Sequence, residues 1–128
     1  MFAVAAARYT AIMSNIAELD HHLNQLILSG KAMDGLERFY AEDCTMQENS
    51  EPPCVGKAAN RKREEEFFKT IEAWHDGKVV SSAAHGDTSF SQWEMDVSIK
   101  GAGRVKIEQV AVRQWKDGKV VHERFFHK

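Results

Sequence analysis

Three carboxylates, one amide and one imidazole in this 128-residue chain have the surroundings that acid–base chemistry requires. Glu48 follows Met46 and precedes the rigid Pro52-Pro53 pair, so an inward-facing strand would hold its carboxyl partly out of water and raise its affinity for a proton toward that of a useful general base. The same carboxyl could instead stand at a solvated rim or pair with a basic residue of the following helix. Glu123 and His127 share one face of a strand-like segment but are roughly 13 Å apart at the usual rise per residue. Each would therefore reach Glu48 or a ligand independently. Glu123 could equally pair with an Arg or Lys of a neighbouring strand, and His127 could be a frayed terminal residue. Glu64 precedes Phe67, Phe68 and Ile71 at steps of three, four and seven, and Asn60 lies one further turn back, so both polar groups fall on the inner line of one helix. The rest of the run Arg61-Lys62-Arg63-Glu64-Glu65-Glu66 reads as a solvated face with pairs such as Arg61–Glu65.

Metal and nucleotide chemistry have no such foundation. His21-His22, His75 and His85 form no His-x-x-x-His or helical Glu-x-x-His pair, and Cys44 and Cys54 are not spaced as a zinc unit. No nucleophile elbow, phosphate-binding glycine loop or dinucleotide fingerprint is present. The expectation is a site without metal or cofactor.

The elements that must position these groups divide the chain in two. Ser14 can cap a helix whose apolar residues Ile16, Leu19, Leu23, Leu26 and Ile27 recur at helical steps, and Gly30 ends it. Residues 1–13 then read as an N-terminal extension and 14–128 as a single domain. A second short helix carries Met33, Leu36, Phe39 and Tyr40. Cys44 to Asn49 reads as a short strand, Pro52-Pro53 as a loop, and Lys57 to about Trp74 as a third helix. Period two then takes over in four strands, Lys78–Ala84, Thr88–Ile99, Arg104–Trp115 and Lys119–His127, separated by glycine-containing turns. Helices followed by an antiparallel meander predict an α+β fold with the helices on one face of a curved sheet. Trp93, Met95, Val97 and Ile99 form the apolar register of the second of these strands, against Gln92, Glu94 and Asp96. Tyr40, Trp74, Trp93, Phe90 and Phe125 could line an aromatic pocket or simply fill the core. The long strands are apolar on both faces, which a one-sided sheet does not need.

Composition bounds the partners. Seventeen basic and 19 acidic residues leave a net charge of −2, offering no basic field for nucleic acid, and no apolar run reaches the ~20 residues that cross a bilayer. With 43% hydrophobic residues the chain fills one real core. Two cysteines are too few for a disulfide scaffold and read as reduced thiols, so the expected location is the cytoplasm.

The order of elements, with "FYAEDCTMQEN", "PPCVGKAANRKREEEFF" and "VRQWKDGKVVHERFFHK", resembles the SnoaL-like branch of the NTF2-like (cystatin-like α+β) superfamily over nearly all of the chain after residue 13. The resemblance implies a cone whose sheet and helices enclose a mostly apolar pocket for a small molecule. Ketosteroid isomerases of this superfamily share the ungapped stretch from Asp34-Gly35 through Ala41-x-Asp43, and counting forward puts their catalytic carboxylate at Glu48. Their oxyanion-hole tyrosine falls at Leu23, and their second acid falls in Gln109 to Ala111, where no acid stands. Limonene-type epoxide hydrolases match in length from Asp43 to Gly56. Their water-holding pair falls at Met46 and Glu48, their arginine and acid near Trp93 and Met95, and their final acid at Phe125. The same comparison implies that Trp93, Met95, Val97, Ile107, Gln109, Ala111, Val121, Glu123, Phe125 and His127 face the pocket.

Two functions follow as expectations. One is a cofactor-independent isomerase, cyclase or lyase acting on a small apolar compound, with Glu48 as general acid or base and Glu123, His127 and Gln109 orienting the substrate. Tyr40, Met46, Asn60, Glu64, Trp74, Trp93, Met95, Gln109 and Phe125 would contact the ligand. The other is a non-catalytic binding or assembly module, a homodimer joined through Val110, Val112, His122, Arg124 and Phe126 on the outer sheet face.

Overall fold

The computed structural model describes the backbone of residues 2–128 and the side chains of residues 15–128. Three helices, α1 (Phe2–Leu28), α2 (Ala32–Phe39) and α3 (Lys57–Thr70), accompany six strands: β1 (Tyr40–Glu48), β2 (Cys54–Val55), β3 (Ile71–His85), β4 (Thr88–Ile99), β5 (Gly103–Lys116) and β6 (Lys119–Phe126). The strands form one sheet in the order β2-β1-β6-β5-β4-β3, with β1 and β6 parallel and every other pair antiparallel. This is the expected α+β, NTF2-like arrangement.

Several boundaries differ, each for a physical reason. Helix α1 begins upstream of Ser14, in an alanine-rich stretch with high helix propensity. Ser14 is therefore not its cap, and the side chains of the expected 1–13 extension lie outside the described residues. Tyr40 is extended (φ −106°, ψ 140°) and opens β1 rather than closing α2. Cys54 and Val55, expected in a loop, pair with Met46 and Thr45 across the Pro52-Pro53 turn. The third helix stops at Thr70 rather than Trp74, because the β-branched Thr70-Ile71 step enters a ladder against the far end of β4, with Ile71 opposite Ile99. Trp74 thus sits on β3 opposite Val97, and its indole lies so close over Gly77 that a Cβ there would collide with it.

Helix α1 supplies Ile16 and Leu23 to a core completed by Leu36, Phe39, Cys44, Met46, Trp115 and Val120. Close packing of α2 on α1 requires Gly35, whose added Cβ would stand 2.8 Å from Leu23 Cδ1. Helix α3 is fastened by Asn60, whose Nδ2 donates to the carbonyls of Cys54 (3.0 Å) and Gly56 (2.9 Å). On β6 a register shift against both neighbours turns Val120 into the core in place of the expected Val121. From Glu123 onward the expected inward parity holds.

Candidate active site

Between the helices and the inner sheet face lies a cavity of about 720 Å³, mostly apolar in lining. Leu23 of α1, Leu36 of α2, Phe67 and Phe68 of α3, and Trp74, Trp93, Met95, Ile107 and Phe125 of the sheet make its walls. The Trp93 indole N–H donates to Ser91 Oγ (2.8 Å), so that ring brings no unmet polar group to the wall. Of the residues expected to act or bind at the site, Glu48, Glu123, His127, Tyr40, Met46, Glu64, Trp74, Trp93, Met95, Gln109 and Phe125 border this space, whereas Asn60 does not. Nor do Val97, Ala111 and Val121, which were expected to face the pocket; Val97 and Ala111 are buried in the core instead. Asn60 is fully buried outside the cavity. Phe90, the remaining aromatic candidate, points to the other face of the sheet and is 40% exposed.

Polar groups gather at two depths. At the floor, Glu123 accepts from Tyr40 Oη (2.7 Å) and from Arg113 Nε (2.5 Å). Arg113 Nη1 donates to Asp20 Oδ1 (2.7 Å) and Asn24 Oδ1 (2.6 Å), and Ser89 Oγ donates to Asp20 as well (2.7 Å). All of these side chains are buried. Burial, then the neighbouring Glu123 carboxylate, hold the Tyr40 hydroxyl well above its ordinary pKa, so it stays a donor. For Arg113 burial opposes the charge, but the acidic groups of Tyr40, Glu123 and Asp20 outweigh it and raise the guanidinium above its usual value. Glu123 thus pairs with an arginine of the neighbouring strand.

Nearer the mouth, Arg63 of α3 stands between two carboxylates. Its Nη1 donates to Glu48 Oε1 (3.1 Å), and its Nη2 is 3.8 Å from Glu64 Oε1. His127 Nε2 reaches Glu48 Oε2 (2.6 Å), and its Nδ1 faces the Lys128 carbonyl (2.9 Å). Both ring nitrogens meet acceptors, which only the imidazolium can satisfy at once. The Lys128 carbonyl first, and Glu48 second, accordingly raise the pKa of His127. Its backbone N–H donates to Asn49 Oδ1 (3.0 Å), so the residue is tied down at the rim.

Desolvation falls on Glu64 rather than on Glu48. The Glu48 side chain is 38% exposed and doubly partnered. Glu64 is 24% exposed and makes no hydrogen bond to any described residue. Burial, then the charge of Glu123, push its carboxyl up to about 7, with Glu48 adding to the effect and Arg63 opposing it.

Arg63, Arg113, Asp20 and Asn24 were missed from the sequence. Arg63 was hidden in a charged run that reads as solvated. Arg113 continues the inward parity of Ile107, Gln109 and Ala111 and stands directly opposite Glu123. Asp20 and Asn24 interrupt the apolar stripe of α1 beside Leu23, and that interruption was the available signal. Among the described residues no group of three or more His, Cys, Asp or Glu side chains could hold a metal ion, and no helix is long and apolar enough to cross a membrane.

No curated protein matches the chain. Among solved structures, a protein from Mesorhizobium loti, provisionally named a SnoaL-like polyketide cyclase, is 28% identical and superposes with a TM-score of 0.79, over 88% of this chain and 98% of that one. A protein of the same provisional name from Jannaschia sp. CCS1 gives a TM-score of 0.79 at 15% identity, over 90% and 86% of the two chains. An NTF-2 like protein from Burkholderia xenovorans LB400 gives 0.71 at 17% identity, over 90% and 84%. The last two likenesses bear on the fold alone. The SnoaL-like domain description matches residues 13–127, nearly the whole chain, and the protein belongs to that family.

Proposed function

We propose that the protein is a cofactor-independent acid–base enzyme of isomerase, cyclase or lyase type, acting on a small, mostly apolar carbonyl compound. The observation that carries this reading is Glu64, a carboxyl in the wall of an apolar cavity that makes no hydrogen bond to any described residue, stands 3.8 Å from Arg63, and has an affinity for a proton balanced near neutrality. A group so poised takes a proton from carbon and returns it at working pH, the condition under which general acid–base catalysis is most efficient. Glu48, the first candidate from sequence, is assigned instead to fixing Arg63 and His127 at the mouth. Neighbours provisionally named as cyclases and one provisionally named an isomerase support the reaction class only as an analogy of fold.

The test is exchange of the methyl protons of 2-acetylnaphthalene in deuterium oxide, followed by NMR. Wild-type protein is expected to accelerate exchange above buffer, increasingly through pH 7, and Glu64→Gln to lower that acceleration by about a hundredfold. Equal exchange by the two proteins would remove Glu64 from the chemistry.

We also propose that a second copy covers the outer face of the sheet. Phe90, Val110 and Phe126 are 40%, 37% and 42% exposed and lie on one face of adjacent strands, where Val110 stands opposite Phe126 and Phe90 opposite Val112. Such a contiguous apolar surface is unusual on a monomer. Sedimentation at micromolar concentration is expected to give a dimer and Phe126→Glu a monomer. A wild-type monomer would refute the pairing without touching the cavity.

A further inference from the structure

Arg113 offers the cavity a donor that the fold does not use. Its Nε is taken by Glu123 and its Nη1 by Asp20 and Asn24, whereas Nη2 makes no hydrogen bond to any described residue. The side chain is only 2% exposed and borders the cavity. A planar guanidinium clamped along Nε and Nη1 cannot turn, so the Nη2 edge is held in one orientation before any ligand arrives. Donors fixed in advance in a water-poor site are the most effective at polarising a bound oxygen.

Charge decides which oxygen fits. Asp20 and Glu123 bring two negative charges to the floor against the single positive charge of Arg113. A ligand carboxylate would add a further anion to a buried group already in excess, at a large desolvation cost. The oxygen of a ketone, ester or amide accepts the same hydrogen bond and adds no charge.

We propose that Arg113 Nη2 anchors the neutral carbonyl oxygen of the ligand at the cavity floor, selecting ketones, esters or amides over carboxylates. The proposal rests on the reading of the cavity as a site for small apolar carbonyl compounds, and it names the group that recognises them.

Equilibrium dialysis at pH 6 with three naphthalenes of like size tests this. In 2-acetylnaphthalene a carbonyl replaces a methylene of 2-ethylnaphthalene, and 2-naphthoate carries the anion. The acetyl compound is expected to bind about tenfold tighter than the ethyl compound, the size of a hydrogen bond to a charged donor, and the carboxylate no tighter than the ethyl compound. Arg113→Lys, which keeps the charge but loses the fork, is expected to reduce the acetyl preference to twofold or less. Should that variant fail to fold by circular dichroism, the wild-type series decides alone. Equal binding of the acetyl and ethyl compounds, or tighter binding of the carboxylate than of the ketone, overturns the anchor and leaves the apolar cavity standing. Failure of all three to bind overturns the cavity reading and the anchor together.

Discussion

Replacing Arg113 with methionine is expected to lower the unfolding free energy by about 3–5 kcal/mol, the usual cost of breaking a buried ion pair from one side. The substitution leaves Asp20 and Glu123 facing each other through a protein interior with no cation between them, since both carboxylates now direct an oxygen to this one guanidinium. Hydrogen bonds from Ser89 to Asp20 and from Tyr40 to Glu123 survive, but neither donor is charged. A domain of this size has only about 5–15 kcal/mol in hand, so urea denaturation should show a large fall in midpoint. Most of the cost is the penalty of uncompensated charge, not the net strength of the pair. The triple variant Arg113→Met, Asp20→Asn, Glu123→Gln is therefore expected to recover most of the loss. A fall as large in the triple variant as in the single one would show instead that the guanidinium stabilises chiefly by packing.

That network also marks where the sequence stopped being legible. The strands after residue 87 are legible nearly to the residue, because alternation and turn glycines are local signals that the sheet obeys. Boundaries failed where a tertiary ladder overrode a local pattern, as at Ile71, where β4 offered pairing to a segment with helical periodicity. About half of the cavity lining could be anticipated from inward parity and family resemblance, Tyr40 and Gln109 included, and the helix residues Leu23, Leu36, Phe67 and Phe68 could not. Which charges meet was legible only as open alternatives. Pairing of Glu48 with a basic residue of the following helix was one of its two readings, but the sequence does not choose between that and desolvation, nor among Arg61, Lys62 and Arg63. Helical spacing separates Glu64 from Glu65 and Glu66 in the sequence, but its desolvation, which exceeds that of Glu48, depends on the cavity wall around it and is not a local signal. Asp20 and Arg113 are 93 residues apart, a separation over which spacing carries no information.

Glu64→Gln is expected to stabilise the protein at pH 8 and to leave it nearly unchanged at pH 4. The carboxyl titrates from an ordinary 4.5 in the unfolded chain and near 7 in the fold, so between those values the unfolded state has already released its proton while the fold still holds one. Stability contributed by this group is full below about pH 4.5 and lost as pH rises through about 7. The loss approaches 3 kcal/mol at pH 8, by the usual energy per unit of pKa shift. Glutamine has the shape of the neutral acid and never ionises, so it escapes the loss. Urea denaturation of both proteins across pH 4–8 isolates this group, because every other titration is shared. A difference that stays constant with pH would mean that Glu64 ionises as readily in the fold as in water. The variant should therefore be more stable and less active at once, as expected where a site keeps a costly charge for its chemistry. The same burial that makes the carboxylate expensive above pH 7 makes it a base strong enough to draw a proton from carbon. If Glu64 were a bystander, stability would rise in the variant and proton exchange would not fall.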